Sequence, residues 1–124
     1  MKVNYLKIKI QQPFLEHSRL TLFGFKILKV TGHSMFPKVP QHSYVLINRW
    51  LYCWQVKPNQ TILINHQKLG LIIKTVALID RYGFIWSKGE NSSSLTVERI
   101  GPVDKHQIVG KVLAVFKKQE IKLN

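Results

Sequence analysis

Cysteine is almost absent from this chain. Cys53 is the single one in 124 residues, so no internal disulfide can form, which fits a reducing compartment. A long hydrophobic run is missing too. No stretch reaches the roughly 18 uncharged apolar residues that a membrane-spanning helix needs. The N-terminus alternates Lys with apolar residues where a signal peptide would have an apolar core, so the chain is expected to be soluble and cytoplasmic. Acidic residues are scarce: six Asp plus Glu face nineteen Lys plus Arg, a formal charge of +13. Such a surface attracts polyanions or an acidic partner. The five histidines, His17, His33, His42, His66 and His106, form no set at metal-ligand spacing with Cys53 or with carboxylates. No bound metal or other cofactor is therefore expected.

What is present is ordinary globular material, 45% hydrophobic and 20% charged, enough for one domain with a modest core. Val3 to Ile10 alternates polar and apolar residues at period two, the pattern of a half-buried strand. Phe14 to Thr21 is the one place for a short helix, with Leu15, Leu20 and Leu22 available to pack. From Phe23 onward come short β-branched and aromatic runs: Phe25 to Val30, Tyr44 to Asn48, Thr61 to Asn65, Leu69 to Asp80, Gly83 to Ser87 and Ile108 to Phe116. Turn chemistry separates them, as in Lys57-Pro58-Asn59-Gln60 and Gly101-Pro102. The expected fold is mainly β and antiparallel. Residues 1–25 form an N-terminal arm, 26–116 the domain, and 117–124 a basic tail.

Two residues suggest chemistry. Ser34 follows a strand ending near Val30, on a turn that contains Gly32 and closes at Pro37. Its hydroxyl can project from that loop while neighbouring backbone N–H groups face an incoming carbonyl oxygen. Lys74 lies inside the apolar run Leu71 to Ile79, sharing one strand face with Ile72 and Val76. A lysine forced into apolar surroundings loses its proton and can act as a general base. The plain alternatives are a serine that merely satisfies a turn and an edge-strand lysine that reaches back to water.

Gly32-His33-Ser34-Met35-Phe36-Pro37 resembles the nucleophile box, Gly-x-Ser-Met-x-Pro, of the signal peptidase I family of serine-lysine proteases. Lys74-Thr75-Val76 is similar to that family's Lys-Arg-Val. Gly89-Glu90-Asn91 with Gly101-Pro102-Val103 resembles its Gly-Asp-Asn to Gly-Pro-Val segment, and Gly110-Lys111-Val112 its closing Gly-x-Val. The boxes agree in order and spacing over residues 26–116. The resemblance implies Ser34 as nucleophile, Lys74 as general base, and the compact β-fold shared with LexA-like self-cleaving repressors. His33, Met35 and Pro37 would line the substrate cleft. Gly32 stands where some members carry an oxyanion hydroxyl, leaving the backbone N–H of Ser34 as the main oxyanion donor.

The chain departs from the family in three places. Gln41-His42 and Asn59-Gln60 replace Gly-Asp turns. The segment after Gly89 is about one residue short of Ser-x-Asp-Ser-Arg, which leaves two registers. Counted from Gly89, Arg99 falls on the family arginine. Anchored on Gly101, Ser94 falls on the serine that hydrogen-bonds the lysine, and Glu98 replaces the arginine. Lacking an anchor and an inserted second β-domain, the chain looks most like the small soluble proteases of nickel-type superoxide dismutase maturation. The resemblance implies a precursor with an N-terminal leader as partner and metal carried only by the substrate, while the +13 charge allows peripheral contact with an anionic surface. Other classes remain open: an inactive member of the same family, or a basic nucleic-acid-binding β-module using Trp50, Tyr52 and Trp54 beside Arg49. The cluster reads more readily as a hydrophobic rim or a substrate- or membrane-contact surface.

Overall fold

β-branched residues favour the pleated, half-buried surface of a sheet, and the β-branched runs among the described residues form strands. The computed structural model describes residues 7–9, 24–50 and 55–117. Its strands are β1 (Lys7–Lys9), β2 (Phe25–Thr31), β3 (Tyr44–Asn48), β4 (Thr61–His66), β5 (Gly70–Ile79), β6 (Ile85–Lys88) and β7 (Ile108–Phe116). They form one seven-stranded sheet in the order β1-β2-β3-β7-β4-β5-β6. Every pairing is antiparallel. The last strand, β7, sits at the centre and joins the β1–β3 meander to the β4–β6 meander, and β1 lies near β5.

The strands expected from the sequence at Tyr44 to Asn48 and Ile108 to Phe116 appear with those bounds, and the other runs agree within two residues at each end. The first of the expected runs is described only over Lys7–Lys9, and the helix expected at Phe14 to Thr21 lies outside the described residues. Two short helical pieces were not expected: α1 (Val97–Ile100), whose N-cap Thr96 accepts from the Arg99 N–H, and a 3-10 turn at Lys105–Gln107. The latter carries a reciprocal Asp104–Gln107 capping box, so both ends of a local sequence signal are present. The turns that lack Gly-Asp keep a left-handed backbone, at His42 (φ 67°) and Asn59 (φ 71°).

Side-chain alternation splits the interior in two. Leu28, Val30, Met35, Val39, Val45, Ile47, Leu63 and Ile73 form one buried cluster. Ile62, Ile64, Ile72, Val76, Ile85, Val103 and Ile108 form another. Neighbours along β4 and β5 alternate between the two, so these strands are covered on both faces, whereas β2 and β3 send residues only to the first. That explains why residues 72–76 of β5 are buried without interruption, Lys74 included.

Candidate active site

The loop between β2 and β3 is closed at its base. The Val30 N–H donates to Ser43 O at 2.9 Å and the His42 N–H donates to Val30 O at 2.8 Å. Within it, Gly32 takes φ 99°, a left-handed value that turns the chain directly before His33 and Ser34. One helical turn follows, with the Val39 N–H donating to Met35 O at 2.8 Å. Met35 and Val39 are both fully buried in the first cluster, with Ile73 of β5, and pin the loop to the sheet. Met35, expected in the substrate cleft, therefore serves as an anchor: a long apolar side chain gains more from burial than from lining a wet groove. His33 and Pro37 are exposed, open to a ligand.

Ser34 itself is fully buried, and its Oγ has no hydrogen-bond partner. A serine serving only its turn would have its hydroxyl engaged there, so that explanation fails. Lys74 is fully buried as well, with an unpartnered Nζ. It lies on β5, an inner strand flanked by β4 and β6, so it neither guards a sheet edge nor reaches water. Burial among apolar neighbours pulls its pKa down from 10.5 to about 8. No carboxylate pairs with the Lys74 amine to oppose this, since Nζ has no hydrogen-bond partner.

A second loop ties these parts together. The Glu90 N–H donates to Ser34 O at 2.8 Å, and the Glu90 carboxylate accepts from the hydroxyl of Thr75, the residue after Lys74. The Asn91 side-chain amide donates to His33 O at 2.5 Å and Phe36 O at 2.9 Å, holding the Ser34 turn from both sides. Gly89 explains how the backbones come so close: a Cβ there would sit 2.8 Å from Ser34 O and 2.2 Å from Ser94 Oγ. Thr75 pairs with Lys88, so one further rung sets Lys74 opposite Gly89. Opposite residues in an antiparallel pair share a face. The side-chain face of Lys74 is therefore the face on which Ser94 and the Ser34 backbone crowd Gly89.

Ser94 adjoins the site, but its hydroxyl donates to Asn91 O at 2.7 Å and makes no bond to Lys74. Arg99 and Glu98 are exposed on α1. The sequence reasoning missed Thr75, Asn91 as a clamp, and Ser87, whose buried hydroxyl is the third without a partner. A signal for Ser87 existed: in Ile85-Trp86-Ser87 it occupies the apolar phase of a period-two strand. Among the described residues no three His, Cys, Asp or Glu side chains gather as metal ligands, and no helix is long and apolar enough to cross a membrane. His17 and Cys53 lie outside the described residues, as do Tyr52 and Trp54. No protein-family model, curated protein or solved structure matches this chain.

Proposed function

We propose that the protein is a serine-lysine endopeptidase in which Ser34 is the nucleophile and Lys74 the general base. The observation that carries this reading is a pair of fully buried polar groups, the Ser34 hydroxyl and the Lys74 amine, neither with a hydrogen-bond partner, on segments tied through Glu90. Leaving buried donors unmade costs about 1–3 kcal/mol each, a cost that a structural role does not repay. Catalytic hydrogen bonds commonly tighten only when substrate arrives.

Near pH 8 a substantial share of Lys74 is neutral. The amine takes the Ser34 proton as Oγ attacks the scissile carbonyl carbon, and the resulting oxyanion is met by the backbone N–H of Ser34. Collapse breaks the C–N bond, and the Lys74 ammonium returns its proton to the departing amine. Water, deprotonated by the same amine, then hydrolyses the acyl ester and restores the Ser34 hydroxyl.

The sheet supports an extended peptide as the substrate class. An extended peptide adding alongside a strand suits a β-rich site. The resemblance to signal peptidases favours small residues before the cut and a precursor bearing an N-terminal leader, such as a nickel superoxide dismutase precursor. A cytoplasmic site of action belongs to the same reading. The test is acylation by a serine-directed probe together with cleavage of a leader-bearing precursor. Ser34→Ala should lose both, and Lys74→Ala should reduce both by at least about 10³-fold. Near-normal cleavage by Lys74→Ala overturns the assignment of the base.

A further inference from the structure

Leu78, Ile79, Tyr82 and Phe84 are all exposed and fall within seven consecutive positions, so one hairpin holds four of the nine exposed large hydrophobic side chains among the described residues. Exposed apolar side chains scattered singly need no explanation, whereas a concentration of them marks a contact surface. The hairpin joins β5 to β6, with Leu78 paired to Trp86 and Ile79 to Ile85. Consecutive residues of a strand point to opposite faces. Apolar side chains therefore leave the hairpin on both faces, and Tyr82, 78% exposed, extends from its end.

A cage of hydrogen bonds orders this tip. Asp80 Oδ1 accepts from the N–H groups of Tyr82 at 2.9 Å and Phe84 at 3.0 Å, and Oδ2 accepts from the Trp86 indole N–H at 3.1 Å. The Asp80 N–H donates to Phe84 O and the Gly83 N–H to Asp80 O, both at 3.0 Å. The bond from Trp86 above all holds the Asp80 carboxyl below its usual range. A tip ordered in advance loses little freedom on binding. Cations flank it: the Arg81 guanidinium lies 5.9 Å from the centre of the Tyr82 ring, and a recess of about 350 Å³ behind the tip is lined by Val56, Ile79 and Ile85 together with Lys57 and Lys105. The carboxylates of these segments, Asp80 and Asp104, both face backbone N–H groups.

We propose that the β5–β6 hairpin is a peripheral anchor for an anionic bilayer, in which Leu78, Ile79, Tyr82 and Phe84 enter the headgroup–acyl boundary while Lys57, Arg81 and Lys105 meet lipid phosphates. The distribution of apolar side chains decides for lipid over a protein partner: a protein groove covers one face of a hairpin, whereas a bilayer surrounds a tip that is apolar on both. Charge decides for anionic lipid. A +13 chain is drawn to a negative surface, and Lys and Arg stems lie along apolar surface with their heads at the phosphates. Tyrosine, a polar hydroxyl on an apolar ring, suits the same boundary. The anchor stands apart from the serine-lysine reading, because Ile79 lies five residues beyond Lys74 along β5, about 16 Å at the rise of a strand.

The experiment is flotation of the full chain with phosphatidylcholine vesicles, with and without phosphatidylglycerol. Binding should require phosphatidylglycerol. Tyr82→Ser combined with Phe84→Ser should weaken it by at least about 10-fold, and Lys57→Gln combined with Lys105→Gln should weaken it severalfold. Tyr82→Ser alone, at the most exposed of the four apolar positions, should act in the same direction whatever the double change does to folding. Phe116→Ser, which removes an exposed aromatic ring elsewhere, and Ser34→Ala should both bind as wild type. Equal binding by wild type and the Tyr82 variants would mean that charge alone adsorbs the protein, and it overturns the anchor, as does equal binding to pure phosphatidylcholine. Failure to float overturns it too, and self-association lost in Tyr82→Ser would then make a second copy of the chain the occupant.

Discussion

Two parts of the interior are equally dry and differ in every other respect. The cluster around Leu28, Val45, Leu63 and Ile73 is apolar throughout, so burial alone stabilises it, by about 1.5–3 kcal/mol for each large side chain. One residue along β5, the corner of Ser34, Lys74 and Ser87 buries an amine and two hydroxyls that no hydrogen bond satisfies. The first region follows the rule that polar groups inside a protein are paired; the second breaks it three times within one loop and two strands. Stability is concentrated in the first, and the second leaves three buried polar groups unsatisfied at a cost in stability.

Exchanging the character of the corner for that of the cluster is the strongest way to break the contrast. Lys74→Met keeps the volume and removes the charge, so hydrolysis should fall by at least about 10³-fold while the fold gains stability at neutral pH. The gain has a definite pH dependence. In the folded chain Lys74 titrates at about 8 against 10.5 in a free side chain. Below about pH 8 both states hold the proton and the whole penalty is present, about 3 kcal/mol. From there to about 10.5 only the unfolded chain holds it, so wild-type stability rises with pH, and above that range the penalty is gone. Urea unfolding at several pH values should show Lys74→Met ahead at neutral pH and level with wild type in strong alkali. A variant less stable than wild type at neutral pH would mean that the amine has a partner.

The complementary change, Leu63→Ala in the apolar cluster, should cost about 2–5 kcal/mol of stability and leave kcat per folded molecule near wild type. A large fall in kcat would show that the two regions are mechanically one. For the wild-type protein, kcat/KM should rise with pH through a midpoint near 8, the value burial imposes on Lys74. A flat profile between pH 6 and 10 would remove the amine from the rate equation. Gly89→Ala sharpens the comparison further, because its methyl group would press on Ser34 O and Ser94 Oγ. Activity should drop by about 10–100-fold through displacement of the Ser34 loop, with a smaller effect on stability than Leu63→Ala. The smallest effect concerns the +13 surface charge. Raising salt from low to physiological strength should lower kcat/KM severalfold for an acidic substrate by screening encounter, with kcat unchanged. A parallel fall in kcat would place basic side chains inside the reaction.

Local pattern carried most of the strand assignments. The short β-branched and aromatic runs Tyr44 to Asn48 and Ile108 to Phe116 are properties of consecutive residues, and the observed strands coincide with them. Composition and alternation also made Lys74 conspicuous as a charge inside an apolar strand. They left open whether it sat on an edge, because edge or interior is decided by which strands pair, and β6 reaches β5 through a hairpin that the spacing alone does not orient. The same limit hid Ser87, which meets the Lys74 strand only through its pairing with Val76, and Met35, whose place beside Ile73 depends on how a distant loop folds back. Residue types and their order were enough to mark a serine and a lysine as unusual and to specify a β-domain. Their burial, their lack of partners and the link through Glu90 arise from contacts between residues far apart in the chain, which exist only once the sheet has closed around them.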